Sequence, residues 1–122
     1  MIKDYNYYKE RYEKKAEQLT ITPGSLRYFE PNFGFIYYRP LEDPDTHERI
    51  IYLDHTCIED WTKGEQVMIE IAKQHQCTAF RTYVYRSPRA YRKLSRGILD
   101  TRHSTFLPNG KFYWCFYRRL IP

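Results

Sequence analysis

Cysteine, glycine and long apolar runs are all scarce in this chain of 122 residues. It has five glycines, and no run approaches the roughly 18 apolar residues of a membrane-spanning helix. The three cysteines, Cys57, Cys77 and Cys115, form no C-x-x-C pair, so we expect reduced thiols packed in strands of a cytoplasmic protein. The first residues lack the apolar core of a secretory leader, and no repeat or low-complexity segment is present.

Acidic residues are nearly missing from the last third of the chain. Residues 81–122 hold ten Lys/Arg and only Asp100, a net of +9, whereas residues 1–80 hold ten Lys/Arg and 14 Asp/Glu, a net of −4. This asymmetry indicates one of two arrangements. The basic third faces a polyanion such as nucleic acid, or the acidic and basic parts fold against each other.

Aromatic residues, by contrast, are abundant. Hydrophobic residues make up 42% of the chain and aromatic residues 18%, with 13 tyrosines, so a substantial core is available. At this length we expect a single domain spanning residues 1–122.

The first half of the chain predicts one helix and two strands. Apolar residues recur at steps of three and four, which is typical of an amphipathic helix, and Thr22-Pro23-Gly24 ends it. This stripe consists of Ile2, Tyr5, Tyr8, Tyr12, Ala16 and Leu19. Residues 33–39 and 49–57 are rich in β-branched and aromatic residues, and we expect them to pair as an antiparallel hairpin.

The next segment predicts a helix followed by a strand. Thr62 and Glu65 have the spacing of a capping box, so the helix should begin at Thr62. Its expected buried face consists of Val67, Met68, Ile71, Ala72 and His75. Residues 77–85 then read as a strand, and the helix becomes a crossover between parallel strands 49–57 and 77–85.

The last segment predicts a short helix and a hairpin. Ser87 is a suitable N-cap with Pro88 at the first helical position, and Gly97 ends the helix. Asn109-Gly110 is a strong turn signal between two final strands, whose aromatic residues on both faces indicate coverage on both sides or pairing with a second copy. The predicted fold class is therefore α/β with a mixed sheet.

The order of these elements over residues 33–120 resembles the GNAT (GCN5-related N-acetyltransferase) fold, and small phage-encoded GNAT-like proteins are the closest in character. The segment RSPRAYRKLSRG, residues 86–97, stands where that family has its fourth helix, and Ala90 matches the alanine of its pattern. The resemblance implies acetyl-CoA as cofactor, N-acyltransfer as activity, and a location in the host cytoplasm or virion if a phage encodes the chain.

The family binds the pyrophosphate of acetyl-CoA with [QR]-x-x-G-x-[GA] at the start of a helix, where backbone N–H groups meet the anion. The corresponding stretch here is residues 61–66, WTKGEQ, in which only Gly64 matches the pattern. The resemblance implies Lys63, Gly64 and Arg89 as cofactor-binding residues. Glu65, in its capping box, would place a carboxylate near the phosphate oxygens and repel them.

Acyl transfer also needs a base for the amine and an acid for the departing thiolate. Asp54 and Glu59 are the candidate bases, and Tyr91 is the candidate acid. Tyr83 and Tyr85 on the preceding strand are alternatives for the acid.

A pair of H-x-C motifs supplies a weaker alternative. His55 and Cys57, with His75 and Cys77, could build a Cys2His2 zinc site if they met, but their spacing is not that of structural zinc motifs. We therefore expect no metal.

The basic segment 86–97 supplies the last alternative. Arg89, Arg92, Lys93 and Arg96 recur on one helical face, which Arg81, Arg86, Arg102, Arg118 and Arg119 would extend. With Tyr91, Tyr113 and Trp114 nearby, this face is suited to a nucleic acid or an acidic protein. The alternative function is thus a non-catalytic binding or assembly protein, with the C-terminal hairpin and the Tyr-lined first helix as candidate contact surfaces and the hairpin as a candidate self-association surface.

Overall fold

The computed structural model describes residues 1–84, 98–106, 108 and 110–121, and of residues 98–103 only the backbone. Two helices and six strands are found there. In chain order they are α1 Tyr5–Lys15, β1 Leu26–Glu30, β2 Gly34–Glu42, β3 Arg49–Ile58, α2 Trp61–Gln74, β4 Ala79–Val84, β5 Ile98–Phe106 and β6 Phe112–Arg119. The helix predicted from Pro88 lies outside the described residues.

The six strands form one mixed sheet in the order β1-β2-β3-β4-β6-β5. Every neighbouring pair is antiparallel except β3 and β4, which are parallel and joined by α2. The predicted mixed α/β class, the antiparallel pairing of β2 with β3, the parallel crossover and the C-terminal hairpin are all confirmed.

Each face of the sheet has its own cluster of buried side chains. The α2 face carries aliphatic and aromatic residues that pack beneath α2, with Ile71 and Ala72 among the helix residues that complete it. The α1 face carries Tyr8, Phe35 and Tyr37, with Tyr5 and Tyr12 packed against them. Because β-strand side chains alternate between faces, neighbouring residues of one strand serve different clusters.

A β-bulge breaks this alternation in β3. Tyr37 pairs with His55 while Tyr38 pairs with Leu53, so Asp54 is the extra residue of β3. The shift places Cys57 in the α1-face cluster and Leu53 and Ile58 in the α2-face cluster. A bulge of this kind re-aims side chains where a strand would otherwise continue regularly.

Two N-terminal features differ from the sequence prediction. The helix ends at Lys15, with Ala16 outside helical geometry, although Leu19 still packs into the α1-face cluster. An additional edge strand, β1, pairs with β2 and was not predicted. Its Tyr28 and Phe29 pack into opposite clusters, so both faces of β1 carry aromatic residues and the alternating pattern of a half-buried strand is lacking.

Gly34 begins β2 where the chain comes very close to β3. Its φ is +131°, and a Cβ added there would lie 1.9 Å from the carbonyl oxygen of Cys57. Only glycine accommodates both the conformation and this approach.

Candidate functional site

The parallel strands β3 and β4 pair only along part of their length. Their register runs from Ile50 and Ala79 to Leu53 and Thr82, and the rest of each strand pairs with its other neighbour. The separation lies at the carboxyl ends of both strands, where α2 begins. Crevices in this position are common ligand sites in α/β sheets.

Asp54 is the first residue of β3 beyond its pairing with β4, but its carboxylate already has hydrogen-bond partners. Arg39 donates to both carboxylate oxygens at 2.8–3.1 Å, and the hydroxyl of Ser25 donates to Oδ2 at 3.0 Å. The Asp54 side chain is only 6% exposed. The hydrogen bond to Asp54 also raises the pKa of Arg39. To accept a proton from an amine, Asp54 would have to give up part of this ion pair.

Glu59 follows the end of β3 and is held by the N-terminal part of the chain. The Lys3 ammonium donates to it at 2.7 Å, the Tyr8 hydroxyl at 2.6 Å and Arg11 at 3.4 Å. The hydrogen bond from Lys3, followed by that from Tyr8, lowers the pKa of Glu59. A carboxylate stabilised in its charged form is a weaker base, so this environment disfavours proton abstraction.

The start of α2 differs from the capping-box prediction, which is wrong. Asp60, not Thr62, is the N-cap, and its Oδ1 accepts from the backbone N–H groups of Thr62 at 3.0 Å and Lys63 at 3.1 Å. Glu65 instead lies 2.9 Å from Arg118 in an ion pair. An aspartate cap satisfies the first-turn donors directly, so a capping box is not required.

Lys63 and Gly64, the predicted cofactor-binding residues, also have partners within the fold. Lys63 forms an ion pair with Glu30, whose hydrogen bond raises the pKa of Lys63. The Gly64 N–H donates to the Asp60 carbonyl at 2.8 Å. A Cβ on Gly64 would lie 2.4 Å from Cδ1 of Ile58, so close packing against β3 already accounts for a glycine at this position.

These contacts do not fit a pyrophosphate. The first-turn N–H groups of Thr62 and Lys63 face a carboxylate, and the nearest cation already has an anionic partner. Arg89 and Tyr91 lie outside the described residues, as does Tyr85, so the predicted site residues that the structure places are Asp54, Glu59, Lys63 and Gly64. It gives them separate partners: Asp54 is held from β2, Glu59 from α1 and Lys63 from β1.

Tyrosines beside the strand separation include one residue that sequence reasoning missed. Tyr83 follows the last paired residue of β4, and its ring centroid lies 5.8 Å from that of Tyr52. Tyr52 was not predicted, although it lies two residues before Asp54 and alternation would have placed both on one face. Burial raises the pKa of Tyr52, and the Arg39 guanidinium lies 4.8 Å from its ring centroid.

The zinc alternative is wrong because its residues lie on opposite faces of the sheet. Cys57 packs in the α1-face cluster and Cys77 in the α2-face cluster. His55 bonds to the Tyr12 hydroxyl at 2.6 Å and the Thr20 carbonyl at 2.9 Å, and His75 lies beside Tyr38. No group of three potential metal ligands occurs among the described residues.

The arginines predicted to extend the basic stripe have acidic partners where the structure describes them. Each forms an ion pair with an acidic residue from the first two thirds of the chain: Arg81 with Asp43 at 3.3 Å, Arg118 with Glu65 at 2.9 Å and Arg119 with Glu48 at 3.4 Å. The charge asymmetry is thus partly neutralised within the fold. The side chains of Arg86 and Arg102 lie outside the described part.

The free end of the β5–β6 hairpin carries an aromatic ladder, defined here as Phe106, Phe112 and Trp114. The ring centroids of Phe106 and Phe112 are 5.1 Å apart and those of Phe112 and Trp114 are 4.8 Å apart. With Lys111 these residues line an open depression of about 630 Å³, and Phe106 is 69% exposed. Tyr113, predicted as a stacking platform, is instead buried.

The tyrosines of α1 do not form the predicted contact surface. Tyr8 is fully buried, and Tyr5 and Tyr12 pack against the α1-face cluster. Tyr7 is exposed to a moderate extent. The aromatic ladder is therefore the better of the two predicted contact surfaces.

Comparison with known proteins supports the fold and leaves the family open. No family model and no curated protein matches the sequence. The structure matches a chain in the crystal structure of the NatC complex bound to Gag peptide and CoA, with a TM-score of 0.51 and 10% sequence identity. The match covers 93% of this chain and 76% of that one. The architecture is GNAT-like, and among the described residues no helix is long and apolar enough to cross a membrane.

Proposed function

We propose that this chain is a non-catalytic, GNAT-like binding protein. The observation that carries the proposal is that both candidate bases already serve the fold. Asp54 is held by Arg39 and Ser25, and Glu59 by Lys3 and Tyr8. Each would have to break a charge-assisted hydrogen bond before acting as a base, and such bonds are about twice as strong as neutral ones.

We assign partner binding to the aromatic ladder. Phe106 is the most exposed aromatic residue among those that the structure describes. Phe112 and Trp114 extend the surface next to it. Exposed aromatic clusters are typical of protein contact sites. Because Arg81, Arg118 and Arg119 have acidic partners, a protein partner fits the described surface better than the phosphates of a nucleic acid.

The first occupant to test is a second copy of this chain. Light scattering and sedimentation over a range of concentrations would measure self-association of the wild type and of Phe106→Asp, with Leu26→Asp as the control on another exposed apolar residue. We expect association that Phe106→Asp abolishes and Leu26→Asp leaves unchanged. Mass spectrometry of copurifying molecules extends the test to a foreign protein, and partner binding that survives Phe106→Asp would contradict the assignment.

The second candidate function is acetyl-CoA-dependent N-acyltransfer, favoured by the separation of β3 and β4 and by the match to a CoA-containing complex. In that case Asp54 or Glu59 is the base, Tyr91 the acid, and Lys63, Gly64 and Arg89 the cofactor contacts. Calorimetry at millimolar acetyl-CoA distinguishes the two functions. We expect no saturable heat, and saturable binding with acyl transfer to an amine would favour the enzyme.

Nucleic-acid binding through Arg89, Arg92 and Arg96 is a further outcome of the same purification. It would appear as affinity for single-stranded DNA that falls steeply with salt. Replacing the three arginines by glutamine would then reduce the salt dependence as well as the affinity.

A further inference from the structure

We infer that the start of α2 excludes phosphate-bearing ligands because the Asp60 carboxylate caps its first N–H groups and the Glu30 carboxylate pairs with its lysine, Lys63. The first N–H groups of a helix have no partner within the helix and can bind an anion. Here Asp60 supplies that anion, since its Oδ1 lies 3.0 Å from the Thr62 nitrogen and 3.1 Å from the Lys63 nitrogen. The next N–H, that of Gly64, already donates to the Asp60 carbonyl at 2.8 Å.

Glu30 supplies the second carboxylate. It ends β1 and forms an ion pair with Lys63, whose ammonium also lies 5.2 Å from the ring centroid of Phe33. The cation that would compensate a phosphate charge is therefore compensated from within the chain. An incoming phosphate would meet the like charges of Asp60 and Glu30, which repel it.

The contacts of Gly64 explain the glycine in this turn without a ligand. Glycines in phosphate-binding turns serve either close approach of the ligand to the backbone or close packing of the helix on the sheet. The Cα of Gly64 faces the protein interior, because its missing Cβ would lie 2.4 Å from Ile58 and 3.9 Å from Phe33. The single match to the family pattern therefore has a packing cause.

The inference predicts that removing the two charges creates anion binding. Asp60→Asn keeps a capping oxygen and removes the charge, because asparagine is as good an N-cap as aspartate. Glu30→Gln releases Lys63 from its ion pair. The matched control is Glu70→Gln, which removes one negative charge from an exposed position of the same helix.

Calorimetric titrations with inorganic pyrophosphate, acetyl-CoA and pantetheine would test it, with thermal unfolding as the check on folding. We expect no saturable pyrophosphate binding by the wild type or by Glu70→Gln. The double variant Asp60→Asn/Glu30→Gln should bind pyrophosphate at least tenfold more tightly than either, and adding Lys63→Met should abolish the gain. Pantetheine lacks the pyrophosphate, so its affinity should be the same for all of these proteins.

Two results would overturn the inference. The first is pyrophosphate binding by the wild type that Lys63→Met removes. The second is a folded double variant whose affinity for pyrophosphate is no higher than that of Glu70→Gln. Acetyl-CoA binding by the wild type that is insensitive to Lys63 and Asp60 would leave the inference standing. It would instead count against the non-catalytic function proposed above, so the two proposals can fail separately.

Discussion

The two faces of the sheet are stabilised by different chemistry. On the α2 face the buried cluster is almost entirely apolar, with Ile51, Leu53, Met68, Ile71 and Phe80 among its members. On the α1 face the aromatic cluster adjoins hydroxyl and charge pairs, which include Tyr5 with Tyr37, Tyr8 with Glu59, Tyr12 with His55, and Arg39 with Asp54.

This difference bears directly on function. Both candidate bases, Asp54 and Glu59, form their contacts on the α1 side of the sheet or at the adjoining end of β3. There they accept hydrogen bonds from buried or half-buried donors. A buried polar group costs stability unless it is hydrogen-bonded, so these carboxylates have a structural role whether or not they react. Removing apolar groups from one face and polar partners from the other would show how far the two chemistries can be separated.

The largest effect is expected from Phe80→Ala on the α2 face. Phe80 is fully buried in β4, and truncating such a side chain costs about 3–5 kcal/mol of unfolding free energy. Urea denaturation should give a similar loss from pH 5 to pH 9, because no charge is removed. Leu26→Ala, at an exposed apolar residue outside the aromatic ladder, is the control and should change stability by less than about 0.5 kcal/mol.

Asp43→Asn should cost somewhat less, about 3 kcal/mol, because it removes the buried carboxylate that lies 3.3 Å from the Arg81 guanidinium. Burial by itself would raise the pKa of Asp43, but the Thr46 hydrogen bond and Arg81 lower it below 3.8. The ion pair therefore stabilises the fold above that value and is lost as the pH falls through the folded-state pKa.

Acid denaturation checks the sign of this effect. The wild type should lose stability below about pH 3.8 more steeply than Asp43→Asn, whereas Glu42→Gln, at the exposed neighbouring residue, should follow the wild type. Equal acid slopes for wild type and Asp43→Asn would contradict a lowered pKa.

Asp54→Asn should have an intermediate effect. It weakens the pair with Arg39 but keeps one acceptor oxygen, and Arg39 is partly solvated, so we expect a loss of about 1–2 kcal/mol. In a double-mutant cycle with Arg39→Met, the combined loss should be smaller than the sum of the single losses. A fully stable Asp54→Asn protein would instead contradict a stabilising role for this ion pair.

Tyr5→Phe should have the smallest effect, about 1 kcal/mol at neutral pH, because it removes one hydrogen bond of 2.6 Å to Tyr37. Burial, followed by this hydrogen bond, raises the pKa of Tyr5 from 10.0 to about 12. Stability from Tyr5 is thus present below pH 10.0 and lost as the pH rises toward about 12. Alkaline unfolding of Tyr5→Phe should be less steep than that of the wild type, and Tyr7→Phe should match the wild type.

Local sequence signals predicted much of the fold correctly. The β-branched and aromatic runs marked β2, β3 and β4, and the turn signal at Gly110 marked the final hairpin, where φ is +83°. The parallel crossover followed from a strand, a helix and a strand in sequence order. Edge strand β1 was missed because Tyr28 and Phe29 are partly buried against opposite faces, which removes the period of two.

The candidate site was less predictable, because its residues are defined by partners distant in sequence. Nothing near Asp54 in the chain indicates Arg39 and Ser25, and nothing near Glu59 indicates Lys3 and Tyr8. At the start of α2, the capping-box spacing of Thr62 and Glu65 predicted Thr62 as the N-cap. The observed hydrogen bonds select Asp60.

The amino-acid sequence by itself determined the alternation of strands and helices, since hydrophobic periodicity and turn residues act over a few neighbouring positions. Only the tertiary structure decided which charges meet. Arg81, Arg118 and Arg119 come from a basic third of the chain, yet each lies against an acidic residue at least 38 positions away. Such pairs depend on strand order and register, and those are set by the packing of the whole sheet.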